Sequence, residues 1–236
     1  MAGMAQLMIT DMIMSFIWVW SGIFIKLITH VVLGLSIHDH ASEFVRSVLT
    51  ILNMFLFTHL VKLTNGGAYN PIVVFTSAIN GSFTTFLFNI ARIPFQVAGS
   101  IVAVRLIIQT FPEIWRGPSL VINLHQGALT EGLLTFSQVL ITLGLDRSIN
   151  GSFYMKTWIS SILKFSLHIL GSDLTGGCMN PAAVVGWAYA FGVHKRKEHI
   201  IVYWFAPIEA TLLASWTFRL LTRRSKPEKK KKQKIN

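Results

Sequence analysis

Six apolar segments dominate the chain, and each is about 20 residues long, enough for a helix to cross the hydrocarbon core of a bilayer. Two further apolar segments, 71–79 and 181–190, are too short to cross it. Hydrophobic residues make up 52% of the chain and charged residues 13%, about half the charged share of a soluble domain. We therefore predict an all-α membrane protein with transmembrane helices at 6–28, 44–61, 88–108, 127–145, 153–170 and 200–221.

The two short segments belong to an internal repeat. The sequence Gly-Gly-Ala-Tyr-Asn-Pro at 66–71 returns 110 residues later as Gly-Gly-Cys-Met-Asn-Pro at 176–181. Together with two shorter echoes in the same order, it predicts related halves at about 6–108 and 127–221 within a single membrane domain at 1–221. The shorter echoes are Thr10-Asp11 with Thr130-Glu131 in the first spans, and Pro94-x-Gln96 with Pro207-x-Glu209 in the third spans.

Each half contains three spans, and because three is an odd number the second half lies inverted relative to the first. The segments 71–79 and 181–190 then enter the membrane from opposite faces and meet near its midplane. Inverted repeats with interrupted helices carry their substrate site at such a meeting point. We therefore predict two re-entrant half-helices in an inverted-repeat fold.

Both half-helices begin with Asn-Pro, residue types that favour the N-cap and the first turn of a helix. A single Asn-Pro more often marks a turn, but here the pair recurs before two short apolar segments. Two helix N-termini that meet place two positive dipole ends at one point, which repels cations. The amides of Asn70 and Asn180 could donate hydrogen bonds to a water oxygen there, which predicts a path for small neutral molecules.

Positive charge is concentrated near the C-terminus. The net charge is +11, and eight of the 21 Lys and Arg residues lie between 223 and 234. This distribution indicates a basic cytosolic tail at 222–236 and no nucleic-acid groove. Because six spans return the chain to the side on which it began, the N-terminus is cytosolic too. A basic cluster at 194–197 opposes this orientation, but the longer basic tail outweighs it.

Several segments resemble the major intrinsic proteins, or aquaporins, and are most similar to the plant small basic intrinsic proteins, second subgroup. The similarity covers about residues 6–222 and is carried by the segment 170–189, by Phe-Pro-Glu-Ile at 111–114 and by Val-Tyr-Trp at 202–204. It implies an aquaporin-like fold, a homotetramer with one pore per subunit, and a lipid bilayer of the endoplasmic reticulum. Lys232 and Lys234 resemble a dilysine retrieval signal for that compartment; binding of anionic lipid headgroups by the tail is the alternative.

The family's pore signature, Asn-Pro-Ala, is present twice, with one departure. Ile replaces Ala in the first copy, and because Ile is bulkier we expect it to narrow the pore centre or tilt its half-helix. The signature residues are Asn70, Pro71 and Ile72 in the first half and Asn180, Pro181 and Ala182 in the second.

Family spacing predicts a selectivity filter at Thr50, His168, Gly177 and Ala183. Water-selective members usually carry Arg at the fourth position, so Ala183 implies a wider filter that is less repulsive to cations. Without this spacing, His168 would be interpreted as a buried core histidine. At a filter it makes pH-sensitive permeation a hypothesis.

Four of the charged side chains within the predicted spans are of particular interest. Lys164 shares a helix face with His168 and is interpreted as part of a charge barrier, the alternative being an ion pair with Asp11 or Glu131. In the family, acids equivalent to Asp11 and Glu131 brace the re-entrant loops; a proton relay is the alternative. Arg92 is expected to snorkel to the membrane interface.

These features predict a passive membrane channel for water, with other small neutral solutes such as hydrogen peroxide as further candidates. A coupled secondary transporter built on broken helices is one alternative, and a membrane structural protein with a poorly conducting pore is another. No nucleophile–base pair or metal cluster can be assembled from the sequence, so we expect no enzyme activity, no cofactor and no bound metal.

Overall fold

The computed structural model describes residues 2–37, 39–113, 117–148 and 151–223. Within these ranges all regular secondary structure is helical, without strands. Nearly all of the predicted tail at 222–236 lies outside them. The nine α-helices of the described ranges are α1 (Ala2–Lys26), α2 (His40–Leu63), α3 (Pro71–Asn80), α4 (Phe83–Thr110), α5 (Leu124–Ser148), α6 (Phe153–Ser172), α7 (Pro181–Ala190), α8 (Lys197–Ile200) and α9 (Ala206–Arg223).

Two of the long helices contain a stretch of π-helix. α1 continues into a π-helical segment at Leu27–Val32, and a second segment at Ile201–Phe205 joins α8 to α9. A π-helical turn holds more residues than an α-helical one, so it rotates every later side chain about the helix axis. The apolar pattern of the sequence predicts neither segment.

Among the described residues, five helical stretches are long and apolar enough to cross a membrane: Gly3–Val32, His40–Leu63, Phe83–Thr110, Leu124–Arg147 and Lys197–Thr222. The remaining predicted span, 153–170, corresponds to α6, whose 20 residues extend for about 30 Å. Lys156 and Lys164 lower the hydropathy of α6. The prediction of an all-α membrane protein is confirmed, and α3 and α7 occupy the positions of the two predicted half-helices.

The helices pack in two related sets around α3 and α7. α1 packs along α4 in one set, and α5 packs along α9 in the other. The crossing of α1 and α4 depends on Gly99, because a Cβ there would overlap the carbonyl oxygen of Met12. A Cβ at Gly186 would likewise overlap Ser100, where α7 crosses α4. Glycine thus permits close helix contacts beside both half-helices.

Apolar side chains fill the interior and also cover the outside. Phe83 and Val32 are 76% and 74% exposed, and many other large apolar side chains also face outward. An apolar exterior of this kind suits contact with lipid tails. The cluster between α1, α4 and α7 contains Val19, Ile23, Ala103, Val104, Ile107 and Trp187.

The third-span echo of the sequence is not a structural equivalence. Gln96 is buried in α4 whereas Glu209 is exposed on α9, and Pro94 is exposed whereas Pro207 is buried. Residues two positions apart lie on nearly opposite faces of a helix, so a register error of two inverts the burial pattern. The burial patterns of α4 and α9 agree when Gln96 is matched with Pro207. The expectation that Pro94 and Gln96 correspond to Pro207 and Glu209 is therefore wrong.

Candidate pore centre

The half-helices α3 and α7 begin in the same way. Oδ1 of Asn70 accepts a hydrogen bond from the backbone N–H of Ile72 at 2.9 Å, and Pro71 occupies the first turn. Oδ1 of Asn180 accepts from the backbone N–H of Ala183 at 3.3 Å. Each asparagine therefore caps its half-helix, as expected for Asn followed by Pro.

The same two asparagines join the half-helices to each other. Nδ2 of Asn70 donates to the carbonyl oxygen of Met179 at 2.8 Å, and Nδ2 of Asn180 donates to that of Tyr69 at 3.1 Å. Each amide thus binds the residue that precedes the other asparagine. The N-termini of α3 and α7 consequently meet in the interior, where both asparagines are buried.

This meeting point has a defined electrostatic character. Two helix N-termini direct partial positive charge toward it, which disfavours cations. A side-chain amide has two N–H groups, and the cross-contact uses one N–H from each of Asn70 and Asn180. The arrangement can therefore offer further N–H donors to a neutral molecule that carries an acceptor oxygen.

The loops leading to the half-helices adopt unusual backbone angles. Gly66 has φ 102°, and Gly176 and Gly177 have φ 91° and 53°. Glycine adopts this left-handed region without the steric cost that a Cβ brings, which accounts for glycine at these three positions. Met179, directly before Asn180, has φ 45°, which is uncommon for a residue other than glycine.

In the first half, the loop is held by a buried ion pair. Oδ1 of Asp11 accepts from the backbone N–H of Ala68 at 2.7 Å. Arg92 donates to Asp11 through Nε and Nη2, both at 2.8 Å, and its Nη2 also donates to the carbonyl oxygen of Gly66 at 2.7 Å. Asp11 is fully buried, so this bidentate pair lies in the protein interior.

The expectation that Arg92 snorkels to the membrane interface is wrong. Its side chain is 6% exposed and points toward Asp11 on α1. Gln96, one turn later on α4, also donates to Asp11, at 3.0 Å. The spacing of Arg92 and Gln96 places them on one helix face, and this is the sequence signal that could have identified the pair.

In the second half, the loop before Asn180 is bound by Glu131, whose side chain is longer than that of Asp11, rather than by a carboxylate–arginine pair. Oε1 of Glu131 accepts from Oγ1 of Thr175 at 2.7 Å and from the backbone N–H of Cys178 at 2.9 Å. Oε2 of Glu131 accepts from the backbone N–H of Met179 at 2.9 Å. Tyr203 donates its hydroxyl to the carbonyl oxygen of Thr175 at 2.7 Å. Sequence reasoning missed Tyr203. It binds the second loop from the third span of the second half, as Arg92 binds the first loop from the third span of the first half.

Two of the four predicted filter positions are in direct contact. Nδ1 of His168 lies 3.0 Å from the carbonyl oxygen of Gly177. A Cβ at Gly177 would overlap the carbonyl oxygen of His168, so a side chain there is excluded. Ala183 lies partly buried on α7, and its carbonyl oxygen accepts from Oγ of Ser100 at 3.4 Å. Thr50 lies partly buried on α2.

Ile72 is packed between helices. It is 1% exposed and packs with Val139 and Ala214, on α5 and α9, in a hydrophobic cluster. The extra volume of Ile relative to Ala is therefore accommodated between helices. The expectation that Ile72 narrows the pore centre disagrees with this placement.

Lys164 lies partly buried on α6 and does not pair with either loop-binding carboxylate. Asp11 is paired with Arg92, and Glu131 is occupied by Thr175 and backbone N–H groups. The alternative interpretation of Lys164, an ion pair with Asp11 or Glu131, is therefore wrong.

Comparisons with known proteins place this geometry in one family. The family model for the major intrinsic proteins matches residues 3–218. Over 220 residues the chain is 53% identical to probable aquaporin SIP2-1 of Arabidopsis thaliana, covering 93% of each chain. It is 42% identical over 233 residues to aquaporin SIP2-1 of Zea mays, covering 98% of this chain and 92% of the relative.

A solved structure shows the same fold at lower identity. The X-ray structure of the aquaglyceroporin from Plasmodium falciparum matches with a TM-score of 0.68 and 17% identity, over 94% of this chain and 96% of that one. The resemblance seen in the sequence is confirmed. The chain belongs to the major intrinsic protein family and is a membrane channel with the aquaporin fold.

Proposed function

We propose that the chain is a passive water channel whose pore centre is built on Asn70-Pro71-Ile72 and Asn180-Pro181-Ala182. The observation that carries this proposal is the reciprocal contact of the two asparagines. It holds both amides at the junction of two helix N-termini and uses one N–H of each. The remaining N–H groups are suited to a water oxygen that passes this point.

Such a site orients water and disfavours ions. A water oxygen that accepts from Asn70 and Asn180 directs its own hydrogens away from the centre, along the pore. Its oxygen then cannot accept a hydrogen bond from a neighbouring water, so a proton cannot be relayed through it in either direction. The positive ends of α3 and α7 add a barrier to cations and protons.

The filter would be formed by Thr50, His168, Gly177 and Ala183. Ala183 has no charge, and Gly177 has no side chain, so this constriction would be wider than one that carries an arginine. Water remains the principal solute of the proposal. A wider, weakly polar filter also suits small neutral molecules such as hydrogen peroxide.

Both buried carboxylates already accept hydrogen bonds at both oxygens, which favours a channel over a coupled transporter. A transporter needs a midplane carboxylate that can bind an ion or a proton. Both oxygens of Asp11 accept from Ala68, Arg92 and Gln96, and both oxygens of Glu131 accept from loop donors. We therefore propose that Asp11 and Glu131 brace the loops.

Assembly and location form part of the same proposal. The relatives from Arabidopsis thaliana and Zea mays are named as aquaporins. We propose a homotetramer in the endoplasmic reticulum membrane, with one pore per subunit and both termini in the cytosol. Cross-linking of the chain in membranes and protease protection of terminal tags would test the assembly and the orientation.

The decisive experiment measures osmotic shrinkage of proteoliposomes by stopped-flow light scattering. Wild-type protein is compared with Asn180→Asp and with Asn123→Asp, at matched reconstitution. Asp caps a helix as well as Asn does, but Asn180→Asp loses the Nδ2 donor and adds a charge. Asn123 is exposed and caps α5 through the backbone N–H of Gln126 at 3.0 Å, which makes it the matched control.

The expected result is fast shrinkage with low activation energy in wild type and Asn123→Asp, and slow shrinkage in Asn180→Asp. Wild-type rates equal to those of empty vesicles, from protein shown to be folded, would remove the water-channel proposal. A folded Asn180→Asp protein with wild-type rates would show that water does not pass through the proposed pore centre.

A further inference from the structure

A surface cavity of about 260 Å³ lies between α3 and α9, away from the pore centre. It is lined by Ile79, Leu212, Ser215, Trp216 and Arg219. Leu212 and Trp216 are 47% and 59% exposed, so the cavity opens to the outside of the helix bundle. Nothing in the proposed water pathway uses these residues.

The geometry of α3 sets the depth of this cavity in the membrane. α3 begins at the pore centre with Pro71 and contains 10 residues, which extend for about 15 Å. That is about half the thickness of the hydrocarbon core, so Asn80 at the far end lies near the headgroups. Arg219 contacts Ile79 and Asn80, and it therefore marks the headgroup end of the cavity.

Arg219 closes the end of α3 but retains donors. Its Nη2 donates to the carbonyl oxygen of Ile79 at 2.7 Å and to Oδ1 of Asn80 at 3.0 Å, and its Nε donates to Asn80 at 3.3 Å. A guanidinium has five N–H groups, and no contact within the described ranges uses the two on Nη1. Arg219 is exposed, and no described carboxylate pairs with it.

Ser215 supplies a second polar group deeper in the cavity. It is 3% exposed, and its Oγ has no hydrogen-bond partner among the residues that the structure describes. A buried hydroxyl without a partner is unfavourable, so this atom is suited to an acceptor on a ligand. Four residues of helix place Ser215 about 6 Å deeper than Arg219.

We propose that this cavity binds one anionic phospholipid. The order of groups from the membrane surface inward matches the order in such a lipid: Arg219 for the phosphate, Ser215 for an ester carbonyl, and the apolar walls for an acyl chain. Trp216 lies between these levels, where tryptophan is common in membrane proteins.

Local charge favours an anionic lipid. The guanidinium of Arg147 lies 6.0 Å from the ring centre of Phe218, one residue before Arg219. The sequence from 223 to 236 carries eight Lys and Arg residues against one Glu. A soluble phosphate could bind Arg219 alone, but it would leave Ser215 and the apolar walls unoccupied. A lipid therefore fits the whole site better than a soluble phosphate does. This inference does not depend on what the pore conducts.

Native mass spectrometry of the full chain in detergent tests the proposal. Phosphatidic acid is titrated against phosphatidylcholine with the same acyl chains. Three variants change the site: Arg219→Gln removes the charge, Leu212→Trp fills the cavity, and Ser215→Ala removes the hydroxyl. Arg46→Gln is the matched control, because Arg46 is exposed on α2 and outside the cavity. The basic tail is the same in every protein.

We expect one tightly bound phosphatidic acid per chain, with affinity lowered at least about fivefold by Arg219→Gln and by Leu212→Trp, and unchanged in Arg46→Gln. Wild-type affinity in Arg219→Gln and Leu212→Trp would overturn the proposal, as would an equal loss in Arg46→Gln. Displacement by soluble glycerol 3-phosphate would overturn the lipid assignment. If Arg219→Gln does not fold, Leu212→Trp and Ser215→Ala decide the question.

Discussion

Arg92 holds both carboxylate oxygens of Asp11, with Nε and Nη2 each 2.8 Å from one oxygen. The pair ties α1 to α4, and the extra bond from Arg92 to Gly66 ties both helices to the loop before Asn70. Both charges are buried, so each depends on the other for stability.

Replacing Arg92 with Met should lower the free energy of unfolding by about 3–5 kcal/mol, because Asp11 is left charged and unpaired in the interior. Thermal or denaturant unfolding in detergent measures the change. Arg105→Met is the control, since Arg105 lies on the same helix but is exposed, 5.0 Å from the ring centre of Tyr189. Equal effects in the two variants would contradict a special role for the buried pair.

Replacing Ile72 with Ala should lower the free energy of unfolding by about 2 kcal/mol or more, because a cavity opens between Ile72, Val139 and Ala214. Water permeability per folded channel should not rise, since the side chain packs against α5 and α9. Val102→Ala, at a position 47% exposed on α4, serves as the control for stability. A marked increase in permeability in Ile72→Ala would show that Ile72 restricts the pore.

Replacing Gly177 with Ala should destabilise the protein and reduce permeation. The new Cβ would overlap the carbonyl oxygen of His168, and the backbone at φ 53° disfavours it. Gly144→Ala should have the opposite effect and raise the free energy of unfolding by roughly 0.5–1 kcal/mol, because Gly144 lies inside α5 with open space around it. Unfolding temperatures and shrinkage rates of both variants test the contrast.

Replacing Lys164 with Met should raise cation leak through the protein. Ala183 leaves the filter without a positive charge, and Lys164 is the charged residue one turn from His168 on α6. Lys156→Met is the matched control, because Lys156 lies near the start of the same helix and donates to the backbone of Asp146 at 3.3 Å. Potassium flux from proteoliposomes measures the leak. Equal flux in wild type and Lys164→Met would remove Lys164 from the barrier.

Local signals in the sequence predicted the half-helices closely. Asn70 and Asn180, each followed by Pro, indicated helices from 71 and 181, and α3 and α7 begin at those residues. The reason is that an N-cap and a following Pro determine a helix start through contacts within three residues.

Non-local relationships were harder to predict. A basic residue inside an apolar segment looks the same whether it snorkels or pairs, and the partner of Arg92 lies 81 residues away. A two-residue echo does not determine the register of a helix, and Glu209 faces outward although its sequence echo, Gln96, faces inward. Tyr203 lies in the Val-Tyr-Trp segment at 202–204, but this segment alone does not indicate that its hydroxyl binds the loop at Thr175.

The mutual contact of the two asparagines also has a consequence for biosynthesis. The acceptor of the Asn70 side chain, Met179, lies 109 residues further along the chain. At ordinary translation rates that segment appears roughly 5–20 s later. During this interval the first half must hold a polar amide within the membrane without its partner. The newly made first half would therefore be the stage at which assistance from the insertion machinery matters most.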